Sequence, residues 1–152
     1  VGVVTIVYIL VYMTEHFDYK SYHFLVKSIL LFLFSFFVFT SMISELIRSE
    51  ISLRLFYICI DCYLILGLCF SFLLRTMHFL DPASLNFALY EEFNHIYMSF
   101  IILTSTGLGD LLPTSMATKA VVILNGLFGQ IYLTFFAALI VGKYLSKSIK
   151  EK

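Results

Sequence analysis

The stretch that decides the fold is Thr104-Ser105-Thr106-Gly107-Leu108-Gly109-Asp110, which lies between a short apolar segment and a long one. Hydroxyl side chains come first, and two glycines separated by a single residue follow. Glycine tolerates backbone conformations that turn successive carbonyl groups toward one side of the chain. A row of such carbonyls can replace the water around a dehydrated cation. The stretch therefore predicts a main-chain binding site for a cation.

The composition around this stretch is that of an integral membrane protein. Of the 152 residues, 61% are hydrophobic, 18% are aromatic and only 13% carry a charge. Soluble domains carry about 25% charged residues, so half of the expected charge is missing. The charges that remain cluster between apolar runs, which indicates a chain embedded in lipid. Membrane lipids are therefore expected partners, and nucleic acid is not.

Apolar runs predict four membrane-spanning helices. Residues 1–13 would reach only about 20 Å as a helix, short of the roughly 30 Å hydrocarbon core. They lack the basic start and the cleavage site of a signal peptide, so we interpret them as a first spanning helix or part of one. Two further spans are predicted at 25–46 and 54–75. A last long helix, which Thr114 or Ser115 can cap, is predicted at 115–146.

A shorter apolar segment, residues 94–103, directly precedes the deciding stretch. Ten residues are too few to cross a bilayer and suit a re-entrant helix. Before it, Asp81-Pro82 has the pattern of an N-cap followed by proline and predicts a short interfacial helix. Irregular backbone at membrane depth is tolerated only inside protein or along a water-filled path. One chain cannot enclose residues 104–110, so we expect a symmetric oligomer around a shared axis.

Two motifs resemble those of potassium channels. Residues 104–110 resemble the filter sequence Thr-Val-Gly-Tyr-Gly-Asp, and residues 126–133, Gly-Leu-Phe-Gly-Gln-Ile-Tyr-Leu, resemble the inner helix of bacterial two-span pores. The resemblance implies an all-α membrane protein with four transmembrane helices per subunit, a re-entrant pore helix, an extended filter and a four-fold assembly. The implied pore domain covers 53–152 and contains an outer helix at 54–75, a pore helix at 94–104, a filter at 104–110 and an inner helix at 115–146.

The first 52 residues would then add two N-terminal transmembrane helices to the pore. A voltage sensor needs arginines repeated every third residue along a span. Neither of these helices has them, so we predict weak or no voltage dependence.

Carried over position by position, the filter differs from the family pattern at three residues. Ser105 replaces the first threonine, Thr106 replaces valine and Leu108 replaces tyrosine. In the family, an aromatic residue of the pore helix hydrogen-bonds that tyrosine; because Leu108 has no hydroxyl, we expect apolar packing to hold the filter instead. The ion is K⁺, and the residues implied to bind it through their carbonyls are Ser105, Thr106, Gly107, Leu108 and Gly109.

The resemblance also assigns residues around the filter. Gly129 is either the hinge of the inner helix or, like Gly126, a site of close helix packing. The residues implied to support the filter and form its outer mouth are Thr104, Asp110, Tyr97, Glu91 and Glu92. Those implied to line the cavity are Gln130, Leu133, Thr134, Ala137 and Val141. The acidic mouth, to which Asp81 would contribute, would raise the local cation concentration.

Other residues allow two interpretations. Asp61 lies inside the third span and is either functional or a structural hydrogen-bonding group paired with Arg54 or a tyrosine. All four histidines, His16, His23, His78 and His95, fall on the predicted outer side, where they are either acid sensors or ordinary interfacial residues. Cys59, Cys62 and Cys69 share one helix face and are expected to be small packing residues.

The functional prediction is a homotetrameric, potassium-selective cation channel that conducts passively, uses no cofactor and is not an enzyme. A weakly selective channel for sodium and potassium and a non-conducting regulatory subunit are the alternatives. The placement of lysine and arginine favours an orientation with both termini in the cytoplasm, and the resemblance to bacterial pores implies a multi-pass protein of a bacterial inner or plasma membrane. The basic residues on the predicted cytoplasmic side are Arg48, Arg54, Lys143, Lys147, Lys150 and Lys152, and those on the outer side are Lys20, Lys27, Arg75 and Lys119.

Overall fold

A computed structural model describes residues 22–48, 53–89 and 91–150. These residues form four helices and, within the described ranges, no β-strand. The helices are α1 (Tyr22–Arg48), α2 (Leu53–Leu80), α3 (Glu92–Leu103) and α4 (Met116–Lys150). The predicted first span at 1–13 lies outside the described residues.

Three of the four helices are long and apolar enough to cross a membrane. The candidate spans are Leu25–Arg48, Arg54–Leu80 and Met116–Leu145, whereas the apolar part of α3, Phe93–Leu103, is too short. The prediction of an all-helical chain with long apolar helices is therefore confirmed for the described residues.

Helix α2 lies at the centre of the chain because it packs against each of the other three helices. It is the most buried of the long helices, and its small side chains allow this close packing. Cys59, Cys62 and Cys69 are free thiols buried in this core, in agreement with their interpretation as packing residues. Gly67 also faces a neighbour, because a Cβ atom there would lie only 2.6 Å from the Phe100 ring of α3.

The predicted end of α2 at Arg75 is wrong, since the helix continues to Leu80. Arg75 was interpreted as a charge at the boundary, but its side chain is buried, as is that of His78. The Thr76 hydroxyl donates to the Phe72 carbonyl one turn earlier at 2.8 Å, so its polar group is satisfied within the helix. The helix ends before Pro82, which cannot donate a backbone hydrogen bond.

The predicted interfacial helix after Asp81 is also wrong, because residues 81–89 form turns. The Asp81 carboxylate accepts the Ala83 N–H at 3.1 Å, and the Asp81 carbonyl accepts the Ser84 N–H at 2.9 Å. A short acidic side chain caps a turn as readily as a helix, so the pattern did not distinguish the two.

This turn segment pairs with the chain that leads into α4. Leu85 and Pro113 form an isolated antiparallel bridge. Beside it, the Thr114 N–H donates to the Ser84 carbonyl at 2.9 Å, and the Thr114 hydroxyl donates to the Ala83 carbonyl. The segments that precede α3 and follow residue 110 are thereby held together.

The ends of α3 and α4 lie close to their predicted positions. Helix α3 begins at Glu92, two residues earlier than predicted, and Thr104 is its C-cap instead of its last residue. Helix α4 begins after Ser115, whose hydroxyl oxygen accepts the Thr118 N–H at 3.2 Å. Of the two predicted caps, Ser115 is therefore the one used.

Two contacts join the helices at the end where α1 stops and α2 starts. Arg54 forms an ion pair with Glu45 of α1. The predicted pairing of Arg54 with Asp61 is therefore wrong, because the guanidinium reaches across to α1 instead of along its own helix. The Lys143 ammonium of α4 donates to the Leu46 carbonyl at 3.0 Å, near the negative end of the α1 dipole.

Candidate functional site

The 104–110 loop follows directly on α3 and has an unusual backbone. Ser105, Gly107 and Gly109 have φ angles of 58°, 52° and 77°, whereas the residues between them do not have positive φ. Glycine adopts such angles readily, and a residue with a Cβ atom does so at a cost of about 1–2 kcal/mol. Positive φ at every second residue changes the direction of the backbone repeatedly within this short loop. The row of carbonyls along this loop stays a prediction.

The inner end of the loop is held by its own main chain. The Ser105 N–H donates to the Ile102 carbonyl at 2.9 Å, and the N–H groups of Thr106 and Gly107 donate to the Ile101 carbonyl at 2.9 and 3.0 Å. A helix leaves its last four carbonyls without partners inside the helix, and the loop uses three of them, since the Thr104 N–H also donates to the Phe100 carbonyl at 3.0 Å. The loop backbone is thus a continuation of the end of α3.

The last carbonyl of α3 makes contacts with both neighbouring helices. The Tyr63 hydroxyl of α2 donates to the Leu103 carbonyl at 3.0 Å. On the other side, a Cβ atom at Gly129 of α4 would collide with the same carbonyl and lie 3.1 Å from Leu103 Cδ1. Gly129 therefore allows close packing of α4 on α3, and its action as a hinge stays a prediction.

The outer end of the loop is held by side chains. The Tyr97 hydroxyl of α3 donates to the Asp110 carboxylate at 2.8 Å, and this bond raises the pKa of Tyr97 above its ordinary value. The Asn86 amide donates to the Asp110 carbonyl at 3.1 Å, and its oxygen accepts the Leu112 N–H at 2.7 Å. The expectation that apolar packing replaces the tyrosine hydrogen bond is wrong here, because the aromatic hydroxyl reaches Asp110 instead.

The expected packing of Leu108 is wrong, and Asn86 was not identified from the sequence as a support of the loop. Leu108 is 65% exposed, so it makes little of the expected apolar packing within the chain. Asn86 was not predicted at all. Its position in a turn 24 residues before Asp110 gave no sequence signal, because the pairing depends on how the two loops meet.

The predicted cavity residues share one exposed face of α4. The Gln130 side-chain amide donates to the Ser105 hydroxyl, which joins this face to the inner end of the 104–110 loop. The Thr134 hydroxyl donates to the Gln130 carbonyl at 2.9 Å. The predicted cavity residues that are exposed are Gln130, Leu133, Thr134, Ala137 and Val141. The loop and this stripe form a continuous uncovered surface of the single chain.

The predicted acidic residues lie at the start of α3. Glu91 is the N-cap and Glu92 is the first residue of the helix. The Asn94 side-chain amide donates to the Glu91 carboxylate at 2.5 Å. Carboxylates are favourable at this end because the helix dipole is positive there.

Two of the four histidines form a buried pair. His78 Nδ1 lies 2.9 Å from His95 Nε2, and the Phe87 ring packs edge-on against both. Neither His78 nor His95 is an exposed interfacial residue, since each is only 1% exposed. His16 and the side chain of His23 lie outside the described residues.

The described residues are all-helical, contain three candidate membrane spans and have a glycine loop between a short and a long helix, which defines a class, the integral membrane proteins. Residues 58–147 match a family model described as an ion channel, which represents two-transmembrane, potassium-channel-like pores. The match covers more than half of the chain, and the chain belongs to this ion-channel family. Comparison with curated proteins gives no match, and comparison with solved structures gives none.

The matched range begins inside α2 and ends inside α4. It contains α3 and the 104–110 loop in full, and it leaves α1 outside. Ion transport across a membrane is therefore the function shared with the family.

Proposed function

We propose that this protein is a potassium-selective channel formed by four identical chains around a central axis. In this arrangement α2 is the outer helix, α3 is a re-entrant pore helix and α4 is the inner helix. The observation that carries the proposal is the 104–110 loop, with its alternating φ angles, between the two helices of an ion-channel domain. Its carbonyls would bind dehydrated K⁺ in single file, and conduction would be passive.

The exposed surface of the chain supports a four-fold assembly. The loop and the stripe of α4 that starts at Gln130 are uncovered in one chain, although irregular backbone cannot face lipid. Four copies with their loops at the axis would enclose this backbone and make the α4 stripes the wall of a water-filled cavity. Homotetramers with closed symmetry satisfy such a requirement with a single repeated interface.

The hydrogen bonds at both ends of the loop support selectivity for potassium. A carbonyl ring discriminates between ions only when its oxygens keep their positions or their number around the ion. Main-chain bonds at Ser105 and the Tyr97–Asp110 bond provide that restraint in each subunit. The exposed Leu108 side chain favours the second candidate, a weakly selective channel for sodium and potassium.

The membrane setting follows from the three candidate spans and the family. We place the protein in a bacterial inner membrane with both termini in the cytoplasm, so that Asp110, Glu91 and Glu92 face outward. The carboxylates of four subunits would attract cations to the outer mouth. Bending of α4 at Gly129 would open the opposite mouth.

The test is ion flux through the purified protein in lipid vesicles. Vesicles loaded with potassium, sodium or rubidium should release potassium and rubidium much faster than sodium. Crosslinking in detergent should give a ladder that stops at four chains. Equal potassium and sodium flux would favour the weakly selective channel. A verified tetramer without cation flux would contradict the channel proposal and favour a regulatory subunit.

A further inference from the structure

A buried polar junction joins α3 to both of its neighbours, one turn before the 104–110 loop begins. Ser99 of α3 and Asn125 of α4 are each 0% exposed. The Ser99 hydroxyl donates to the Gly67 carbonyl of α2 at 2.7 Å. The Asn125 amide donates to the Ser99 carbonyl at 3.0 Å and lies 3.3 Å from the Ser99 hydroxyl oxygen. Three helices therefore meet in one hydrogen-bonded cluster.

The junction restrains α3 in two independent directions. The ring of Phe100 lies so close to Gly67 that no larger residue fits between α2 and α3, which sets the distance between these helices. The hydrogen bonds of Ser99 are directional, so they also set the rotation of α3 about its axis and its depth between α2 and α4. Apolar packing alone fixes rotation less well, because van der Waals contacts are not directional.

The position of Ser99 transfers this restraint to the loop. The carbonyls that hold the loop belong to Ile101 and Ile102, two and three residues after Ser99 on the same short helix. Any rotation of α3 at Ser99 would move both carbonyls and the amides bound to them.

A second contact on α4 reinforces the first. Asn125 and Gly129 are four residues apart and so lie on one face of α4. Asn125 contacts Ser99, and Gly129 packs on the Leu103 carbonyl. Helix α4 thus contacts α3 at two successive turns. A displacement of α4 would therefore also move the end of α3 and the first residues of the loop.

Burying the polar groups of this junction costs free energy that apolar packing would not cost. An unpaired polar group in the interior costs about 1–3 kcal/mol, and the buried side-chain oxygen of Asn125 has no hydrogen-bond partner among the described residues of the chain. Apolar side chains of similar size would fill the same space with no such penalty. Directional polar groups inside a helical bundle are best explained by the unique geometry that they enforce.

We propose that Ser99 and Asn125 are positioning residues for the ion-binding loop and thereby determine its ion selectivity. This inference rests on the proposed function, since it concerns the same loop. Neither residue touches the ion. Both act through the depth and rotation of α3, which place the Ile101 and Ile102 carbonyls and hence the first residues of the filter.

The experiment measures the potassium-to-sodium permeability ratio of tetramers in vesicles. The variants are Ser99→Ala, Asn125→Leu, the double variant and the conservative Ser99→Thr. We expect Ser99→Ala and Asn125→Leu each to lower the ratio by about tenfold, the equivalent of one net hydrogen bond. Ser99→Ala removes the bond to the Gly67 carbonyl and keeps the bond from Asn125 to the Ser99 carbonyl, whereas Asn125→Leu does the reverse. The double variant should therefore have a lower ratio than either single variant. Ser99→Thr keeps the hydroxyl and should retain most of the wild-type ratio.

Ser35→Ala is the matched control. Ser35 is 1% exposed, but it belongs to α1, whose extensive packing is on α2. Its substitution should leave the permeability ratio unchanged while removing an equally buried hydroxyl.

The outcomes separate this inference from the proposed function. A selective wild type whose ratio survives Ser99→Ala overturns the positioning role alone, and so does a double variant that is as selective as the wild type. If Asn125→Leu does not assemble, the comparison of Ser99→Ala with Ser99→Thr decides, and equal ratios overturn the proposal. A wild type that conducts no cation, or potassium and sodium equally, overturns selective conduction and the positioning role together.

Discussion

The two ends of the 104–110 loop are held in different ways. At the inner end, the N–H groups of Ser105, Thr106 and Gly107 donate to carbonyls of α3. At the outer end, the side chains of Tyr97 and Asn86 hold Asp110. Main-chain bonds do not depend on which side chain is present, whereas side-chain bonds do. The inner end therefore tolerates unusual residues such as Ser105 and Thr106, and the outer end depends on a few particular ones.

This difference predicts how each end can be disturbed. The inner end is disturbed by changes that displace α3, as at the contact between Leu103 and Gly129, or by loss of the bond from Gln130 to the Ser105 hydroxyl. The outer end is disturbed by removing a single hydroxyl or amide group.

The largest effect is expected for Gly129→Ala. Its Cβ atom would collide with the Leu103 carbonyl, so backbone must move, and overpacking of this kind costs about 1–3 kcal/mol. The tetramer in detergent should dissociate at a lower temperature than the wild type and lose potassium flux. Gly126→Ala is the matched control, since its Cβ atom would meet only Ile102 Cγ2 at 3.7 Å. Equal thermal stability of the two variants would contradict the packing described for Leu103.

The next effect is expected for Tyr97→Phe. This change removes the hydroxyl bound to the Asp110 carboxylate and keeps the ring, so the outer end loosens while the inner end stays fixed. We expect a several-fold lower potassium-to-sodium permeability ratio with an unchanged tetramer. Tyr57→Phe, on the exposed face of α2, removes a hydroxyl far from the loop and should change nothing. If Tyr97→Phe remains as selective as the wild type, the outer bond does not restrain the filter.

A smaller effect is expected at Asn86, and two substitutions separate the contributions of its two hydrogen bonds. Asn86→Ala removes both bonds, to the Asp110 carbonyl and to the Leu112 N–H. Asn86→Asp keeps an acceptor for Leu112 and loses the donor to Asp110. Each exposed bond contributes about 0.5–1.5 kcal/mol at most, so the permeability ratio should fall modestly in both variants and further in Asn86→Ala. The reverse order would mean that the added charge, and not the lost bond, dominates.

The helices could be predicted from the sequence because their signals are local. Apolar runs of more than 20 residues predicted α1, α2 and α4, and Ser115 was among the two predicted caps. Errors arose where the same residue type is common in two different structural positions. Arg75 looked like a helix end but is buried, and Asp81 looked like a helix cap but caps a turn.

The supports of the loop could not be predicted because they join distant parts of the chain. Tyr97 was correctly placed among the supporting residues, but its partner was expected to be apolar and is Asp110. Asn86, Ser99 and Asn125 received no prediction, since an isolated polar residue in an apolar or turn segment shows no partner in the sequence. The resemblance to potassium channels covers the motif residues, whereas these contacts depend on how α2, α3 and α4 pack.

The smallest predicted effect near neutral pH is the response of the outer end to added base, because Tyr97 stays protonated there. The Tyr97 hydroxyl donates to Asp110 only while it is protonated, and the bond to the carboxylate raises the pKa of Tyr97. A group whose pKa is raised by folding keeps its stabilising contribution below its ordinary pKa and loses it as pH rises through the higher value. The ordinary pKa of tyrosine is about 10. The potassium-to-sodium permeability ratio should therefore stay constant as external pH rises from about 7 to 10 and fall only above that range.

The variant Tyr97→Phe separates this response from the titration of lysines and of the rest of the outer surface. It has no hydroxyl to ionise, so its lower ratio should stay flat over the same alkaline range in which the wild-type ratio falls. The amides that hold the inner end do not ionise, so the fall is confined to the outer end. The wild-type ratio should fall at least to the level of Tyr97→Phe, since a tyrosinate beside the Asp110 carboxylate also adds repulsion between like charges. A wild-type decline that begins near pH 8, well below the ordinary tyrosine pKa, would mean that Asp110 does not hold the Tyr97 proton.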